Sequence, residues 1–131
     1  MNSEEVLEWI TLADCDFDSA KLLNEAVRRH LEIICYHCAQ ATEKYLKAYL
    51  VYHDILPEKT HDLIRINKYC IDIDSTFQSI KTICDFLTRF ANDIRYPHNY
   101  EVTNSDVNFS IDAVEKIKNF KPIFDLRNIS E

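Results

Sequence analysis

The chain has 131 residues, 47% of them apolar, no glycine and a net charge of −7, which suits one domain with a single core. Without glycine, a phosphate-cradling P-loop and a GxGxxG dinucleotide turn are excluded, and an extensive antiparallel sheet with tight positive-φ hairpins is disfavoured. The acidity, with an isoelectric point near 5.2, argues against a general nucleic-acid coat, because phosphate affinity rests on clustered Lys and Arg.

In chain order, Asn2 or Ser3 is the natural N-cap of a first helix, with Glu4 and Glu5 complementing its dipole. Val6, Trp9, Ile10, Ala13, Phe17, Ala20, Leu23 and Val27 recur at helical steps and predict a helix from about residue 3 to residue 28. Its carboxylates, among them Asp14 and Asp16, are expected mostly on a solvated face. A second helix, from about His30 to His53, is apolar nearly all round and should be central. His37, Gln40, Lys44 and Lys47 follow along one stripe of it, either as a solvated strip or as a cationic lining for a cleft.

Pro57 is expected to stop the second helix, and Thr60 to cap a third over residues 61–72. A fourth helix opens at Asp74 or Ser75. Its apolar face runs from Phe77 to Ile94, and Pro97 ends it. Thr103 with Asp106 marks the cap of the last helix, which should run to Pro122, with a frayed tail from Asp125. The expectation is a single all-α domain over 1–131. It is an up-and-down bundle of four main helices plus a short one, with its core at about 3–122.

No basic start followed by an apolar run suggests a signal peptide, and no stretch approaches the roughly 20 apolar residues of a membrane span. Five cysteines at irregular spacing point to reduced thiols, hence to the cytoplasm.

The Cys35-Tyr36-His37-Cys38 pattern lies inside a helix, where buried packing is favoured over zinc. The one ExxH, Glu58 to His61, falls in a loop and reads as a chance match to di-metal bundles, so neither metal nor cofactor is expected. Arg95, His98 and His61 are the candidates for metal-free phosphate chemistry. An arginine can hold phosphate oxygens and neutralise transition-state charge. A histidine can move a proton from a ribose 2′-hydroxyl or to a leaving 5′-oxygen. The alternative is structural, with Arg95 capping its helix and Tyr96 and Tyr100 anchoring a loop.

The residues Trp9, Ala13, Asp16 and Ala20, then Gln40-Ala41-x-Glu43-Lys44-x-x-Lys47-Ala48, then Lys59-Thr60-His61-Asp62-Leu63, then Arg95-Tyr96-Pro97 resemble the HEPN domain family (higher eukaryotes and prokaryotes nucleotide-binding), in its RYP-type branch. The resemblance spans residues 3 to 122. It implies a bundle of four or five helices, often paired as a homodimer with a cleft between subunits, and a role around nucleotides or RNA. Family members often act with a minimal nucleotidyltransferase in toxin–antitoxin pairs, and many are metal-independent ribonucleases. The nuclease branch carries an arginine, four to six residues, then a histidine. Here Arg95 and His98 are separated by two residues, Tyr96 and Pro97. Arg95 carries over as a ligand-contacting residue, and His98 does not match by spacing. Tyr100 stands where it could mimic a tyrosine that partner enzymes modify with AMP in some family pairs.

The leading expectation is a nucleotide- or RNA-phosphate-binding module with a cleft lined by Arg95, Gln40, Lys44, Lys47, Tyr96, Tyr100 and His61. The second is a metal-independent endoribonuclease using Arg95 with His98 or His61. The third is a structural protein–protein interaction module.

Overall fold

A computed structural model describes residues 2–92 and 101–130. Its regular elements are helical, as expected. They are α1 (Ser3–Asn24), α2 (Leu31–Tyr52), α3 (Leu63–Ile73), α4 (Lys81–Leu87), α5 (Asn104–Asn119) and α6 (Lys121–Phe124). The site candidates Arg95, Tyr96, His98 and Tyr100, and the helix stop at Pro97, lie outside the described residues.

Helix α2 is the axis of the bundle. Ile34, Cys35, Cys38, Ala39, Ala41, Tyr45, Leu46, Ala48 and Leu50 are buried around its circumference. Helix α1 packs antiparallel against it through Val6, Ile10, Ala13, Phe17 and Ala20, all buried at the spacing the sequence predicts. Helix α5 adds Val107, Val114 and Ile117 from a second side, and α3 adds Leu63, Ile66 and Cys70 from a third.

Several ends differ from expectation. Helix α1 stops at Asn24 rather than at residue 28, and Val27 is fully exposed instead of on the core face. The Asn24 side chain there accepts two bonds from Arg29, at 3.1 and 2.6 Å, which ties off the reversal into α2. Helix α2 ends well before Pro57. Asp54 adopts a left-handed φ of 61°, the Asp54 amide donates to Val51 and the Ile55 amide to Leu50. This is the Schellman arrangement, made here without glycine. Asp62, not Thr60, caps α3, accepting from the amides of Ile64 and Arg65. Thr60 instead accepts from the Asp62 amide at 3.1 Å.

The expected long fourth helix is broken. Ser75–Ile80 form a 3₁₀ turn capped by Asp74, α4 follows, and Thr88–Phe90 revert to 3₁₀. Thr103 and Asp106 do form the reciprocal capping box of α5. Pro122 does not end α5. The extended backbone of Phe120 does, and Pro122 sits in the first turn of α6, where a missing amide hydrogen is harmless.

The tail is not frayed through residues 125–128. Asp125–Asn128 form a 3₁₀ turn, Leu126 is buried, and Arg127 holds Asp14 with two bonds of 2.7 Å each. Asp14 also accepts the Tyr45 hydroxyl and faces Lys118 at 3.9 Å. Burial alone would raise the Asp14 carboxyl. The hydrogen bonds from Arg127 and Tyr45, with the charges of Arg127 and Lys118, outweigh it and hold the group below its ordinary 3.8.

A carboxyl depressed in the folded state stabilises at pH above its unfolded value and loses that contribution as pH falls through the folded one. Asp14→Asn should therefore lower the unfolding free energy at pH 7 by about 1–2 kcal/mol, since the pair is partly wetted. Below about pH 4 the gap to wild type should narrow. Urea unfolding at pH 7 and pH 3 checks both.

Candidate functional site

The polar residues of α2 fall on one arc of an otherwise apolar helix. His37, Gln40, Glu43, Lys44 and Lys47 follow at steps of three, three, one and three. The arc meets α1 on one side and the segment leading to α3 on the other. None of its described charges is left alone.

Asp16 on α1 lies 3.0 Å from His37 Nδ1 and also accepts the Lys44 ammonium. Lys44 further approaches Gln40 Oε1 at 3.5 Å. The other end of that amide donates to the Ala91 carbonyl at 3.4 Å. Asp16, Lys44 and Gln40 therefore form a chain across α1 and α2 to the backbone shortly before Arg95. Asp16 is one of the α1 carboxylates expected on a solvated face, and its side chain is only 16% exposed.

Glu43 organises the second half. It is 4% exposed. One carboxylate oxygen takes the Lys47 ammonium at 3.0 Å, and the other lies 2.8 Å from His61 Nδ1. The Lys47 ammonium also sits 5.8 Å from the centre of the Trp9 ring, an arrangement in which the ring face adds attraction. Glu43 accepting at Nδ1 puts the proton there and leaves Nε2 as the working nitrogen of His61. The His61 side chain is 59% exposed, whereas its carboxylate partner is sealed.

Of the sequence candidates, Gln40, Lys44 and Lys47 thus share one arc, and His61 joins it through Glu43. The cationic lining does not exist in free form: Asp16 neutralises Lys44 and Glu43 neutralises Lys47. Glu43 falls within the Gln40–Ala48 motif, and its spacing of four from Lys47 is the one local sign of a pair. Asp16 gave no such sign, because its partners lie on another helix.

The ExxH residues part company. Glu58 binds Arg65 while His61 binds Glu43. Among the described residues no group of three or more His, Cys, Asp or Glu is placed to hold a metal ion. Cys35 and Cys38 are buried, and Cys35 accepts from the Ser110 hydroxyl at 3.6 Å. Burial raises both thiols, Cys35 to about 11, so neither is poised as a thiolate. Among the described residues no helix is long and apolar enough to cross a membrane.

The helix order and the motif-bearing arc agree with a match of residues 6–124 to the HEPN domain model. The chain belongs to the HEPN domain family. No curated protein and no solved structure matches it. Within this HEPN domain, the residues of the Gln40–Ala48 motif divide between core and site. Ala41 and Ala48 pack inward, while Gln40, Glu43, Lys44 and Lys47 build the polar arc.

Glu43 is the most deeply buried charge of the arc. Glu43→Gln leaves the nearly buried Lys47 ammonium without a counter-charge and should cost about 3 kcal/mol or more in denaturant unfolding. Adding Lys47→Met should restore at least half of that loss, because a buried ion pair is far worse half-broken than absent.

Proposed function

We propose that this HEPN domain binds the phosphate of a nucleotide or RNA at the α2 arc, as a homodimer in the cytoplasm, acting with a minimal nucleotidyltransferase partner in a toxin–antitoxin-like pair. The observation that carries this reading is the Gln40 bond to the Ala91 carbonyl. It ties the arc of Gln40, Lys44 and Lys47 to the chain four residues before Arg95. Arg95 is the guanidinium that the family resemblance assigns to the ligand, with Tyr96 and Tyr100 beside it in sequence. The pairing of Lys44 and Lys47 with carboxylates supports a selective ligand. A polyanion gains little from ammoniums already neutralised, in a chain of net charge −7. Five free thiols suit a reducing compartment.

The Glu43–His61 pair favours a second reading, a metal-independent endoribonuclease. His61 Nε2 would take the proton of a ribose 2′-hydroxyl. The 2′-oxygen would bond to phosphorus as the P–O5′ bond breaks, and the leaving 5′-oxygen would take a proton from water, Arg95 offsetting the charge on the equatorial oxygens. His98 is the alternative base in the same scheme.

Fluorescence anisotropy in EDTA with labelled ATP and a short single-stranded RNA tests the first reading. Binding should weaken about tenfold or more in Arg95→Ala and severalfold in Lys44→Gln, with the RNA left intact. No binding of either probe by wild type at millimolar protein would defeat it. RNA cleavage that survives EDTA and disappears in His61→Ala or His98→Ala would install the second reading instead.

A further inference from the structure

A cavity of about 530 Å³ opens at the far end of α2, where the 3₁₀ turn after Asp74 and the corner between α5 and α6 meet it. Its size falls in the range of small-molecule sites. Tyr49, Tyr52, Asp74, Phe120, Asp125 and Ile129 line it, and its walls are mostly apolar. Tyr49 and Tyr52 lie on faces of α2 that the polar arc does not use, so this place is separate from the proposed phosphate site.

Three features of the cavity specify a ligand. The first is a fixed aromatic wall. Tyr49 is 5% exposed and wedged between Phe77, at 4.5 Å between ring centres, and His53, at 4.6 Å. Phe120 stands edge-on to Phe77 at 5.0 Å.

The second is an unused hydroxyl. Among the described residues none hydrogen-bonds the Tyr49 hydroxyl, and Tyr49 is one of the residues that line the cavity. Burial, with the charge of Asp74, keeps it protonated by raising it to about 12.

The third is a half-used carboxylate. Thr76 donates to Asp74 through its hydroxyl at 2.7 Å and its amide at 2.9 Å, and both bonds fall on Oδ1. Those bonds hold the Asp74 carboxyl below its ordinary range and leave Oδ2 for another donor. The charges around the cavity do not cancel. Asp74 and Asp125 face one ammonium, Lys121, which bonds Asp125 at 2.9 Å and is itself 84% exposed. His53 is the remaining titratable group near Asp74.

We propose that this cavity is a binding site for a small aromatic cation, such as an amidine, a guanidine or a protonated nitrogen heterocycle. Its flat ring lies along Tyr52 and Phe120, and its N–H groups reach Asp74 Oδ2 and the Tyr49 hydroxyl. The aromatic rings favour a flat, positively charged guest. The surplus carboxylate excludes phosphates and carboxylic acids, which sets this ligand class apart from the one assigned to the α2 arc.

The test uses three probes of one shape and different charge, namely benzamidine, benzamide and benzoate, with the whole chain. Binding is followed by amide chemical shifts of Tyr52, Asp74 and Phe120. Benzamidine should bind about tenfold or more tightly than benzamide, and benzoate should give no saturable shift. Asp74→Asn keeps a capping side chain for the 3₁₀ turn, because Asn caps as well as Asp. It should bring benzamidine down to the level of benzamide while benzamide itself binds as before, which also shows that the variant is folded. Equal binding of the three probes, no binding of benzamidine, or unchanged benzamidine binding in Asp74→Asn would each overturn the proposal.

Discussion

A helix enclosed on almost every side must find an internal partner for each polar group it carries, and α2 is such a helix. An unpartnered buried polar or charged group costs more than its bond would return. The consequences radiate from it. Thr42 turns its hydroxyl back to the Cys38 carbonyl at 3.0 Å. Tyr45 sends its hydroxyl to Asp14, which in turn fixes Arg127 and the C-terminal turn. Lys44 recruits Asp16, and Glu43 recruits both Lys47 and His61. Asp14 and Asp16 of α1 and the docking of residues 125–128 are thus answers to demands set by one central element.

The same demands shape the functional surface. In an acidic chain, lysines that hold carboxylates are poor general attractors of polyanions, yet they are rigid and their positions are defined. His61 gains a fixed tautomer from a carboxylate that water barely reaches. Such a surface trades affinity for selectivity, in keeping with the single phosphate ligand proposed for it.

The apolar periodicity made the all-α bundle readable, because α1, α2 and α5 bury residues at the positions their spacing predicts. The Thr103–Asp106 box was readable for the same reason: a cap is a local pattern. Helix ends set by tertiary geometry were not. Asp54 closes α2 by taking a left-handed conformation that aspartate adopts only when the surroundings favour it, so Pro57 drew attention to the wrong place. At the site, the motif named Gln40, Lys44, Lys47 and His61 and placed them together. It gave no partners for the carboxylates Asp16 and Glu43, since Asp16 meets Lys44 and His37 only when α1 is laid against α2. The C-terminal turn was hidden likewise, because Arg127 and Asp14 are separated by nearly the whole chain.

The cysteines distribute the chain into two chemical populations. Cys15 is exposed on α1, while Cys35, Cys38, Cys70 and Cys84 are buried on three helices, with thiols pushed upward by that burial, Cys84 to about 12. An alkylating reagent therefore meets one thiol on the folded molecule and four more when helices part. The order in which those four become labelled would trace how the bundle opens, helix by helix, from a clock already written into the chain.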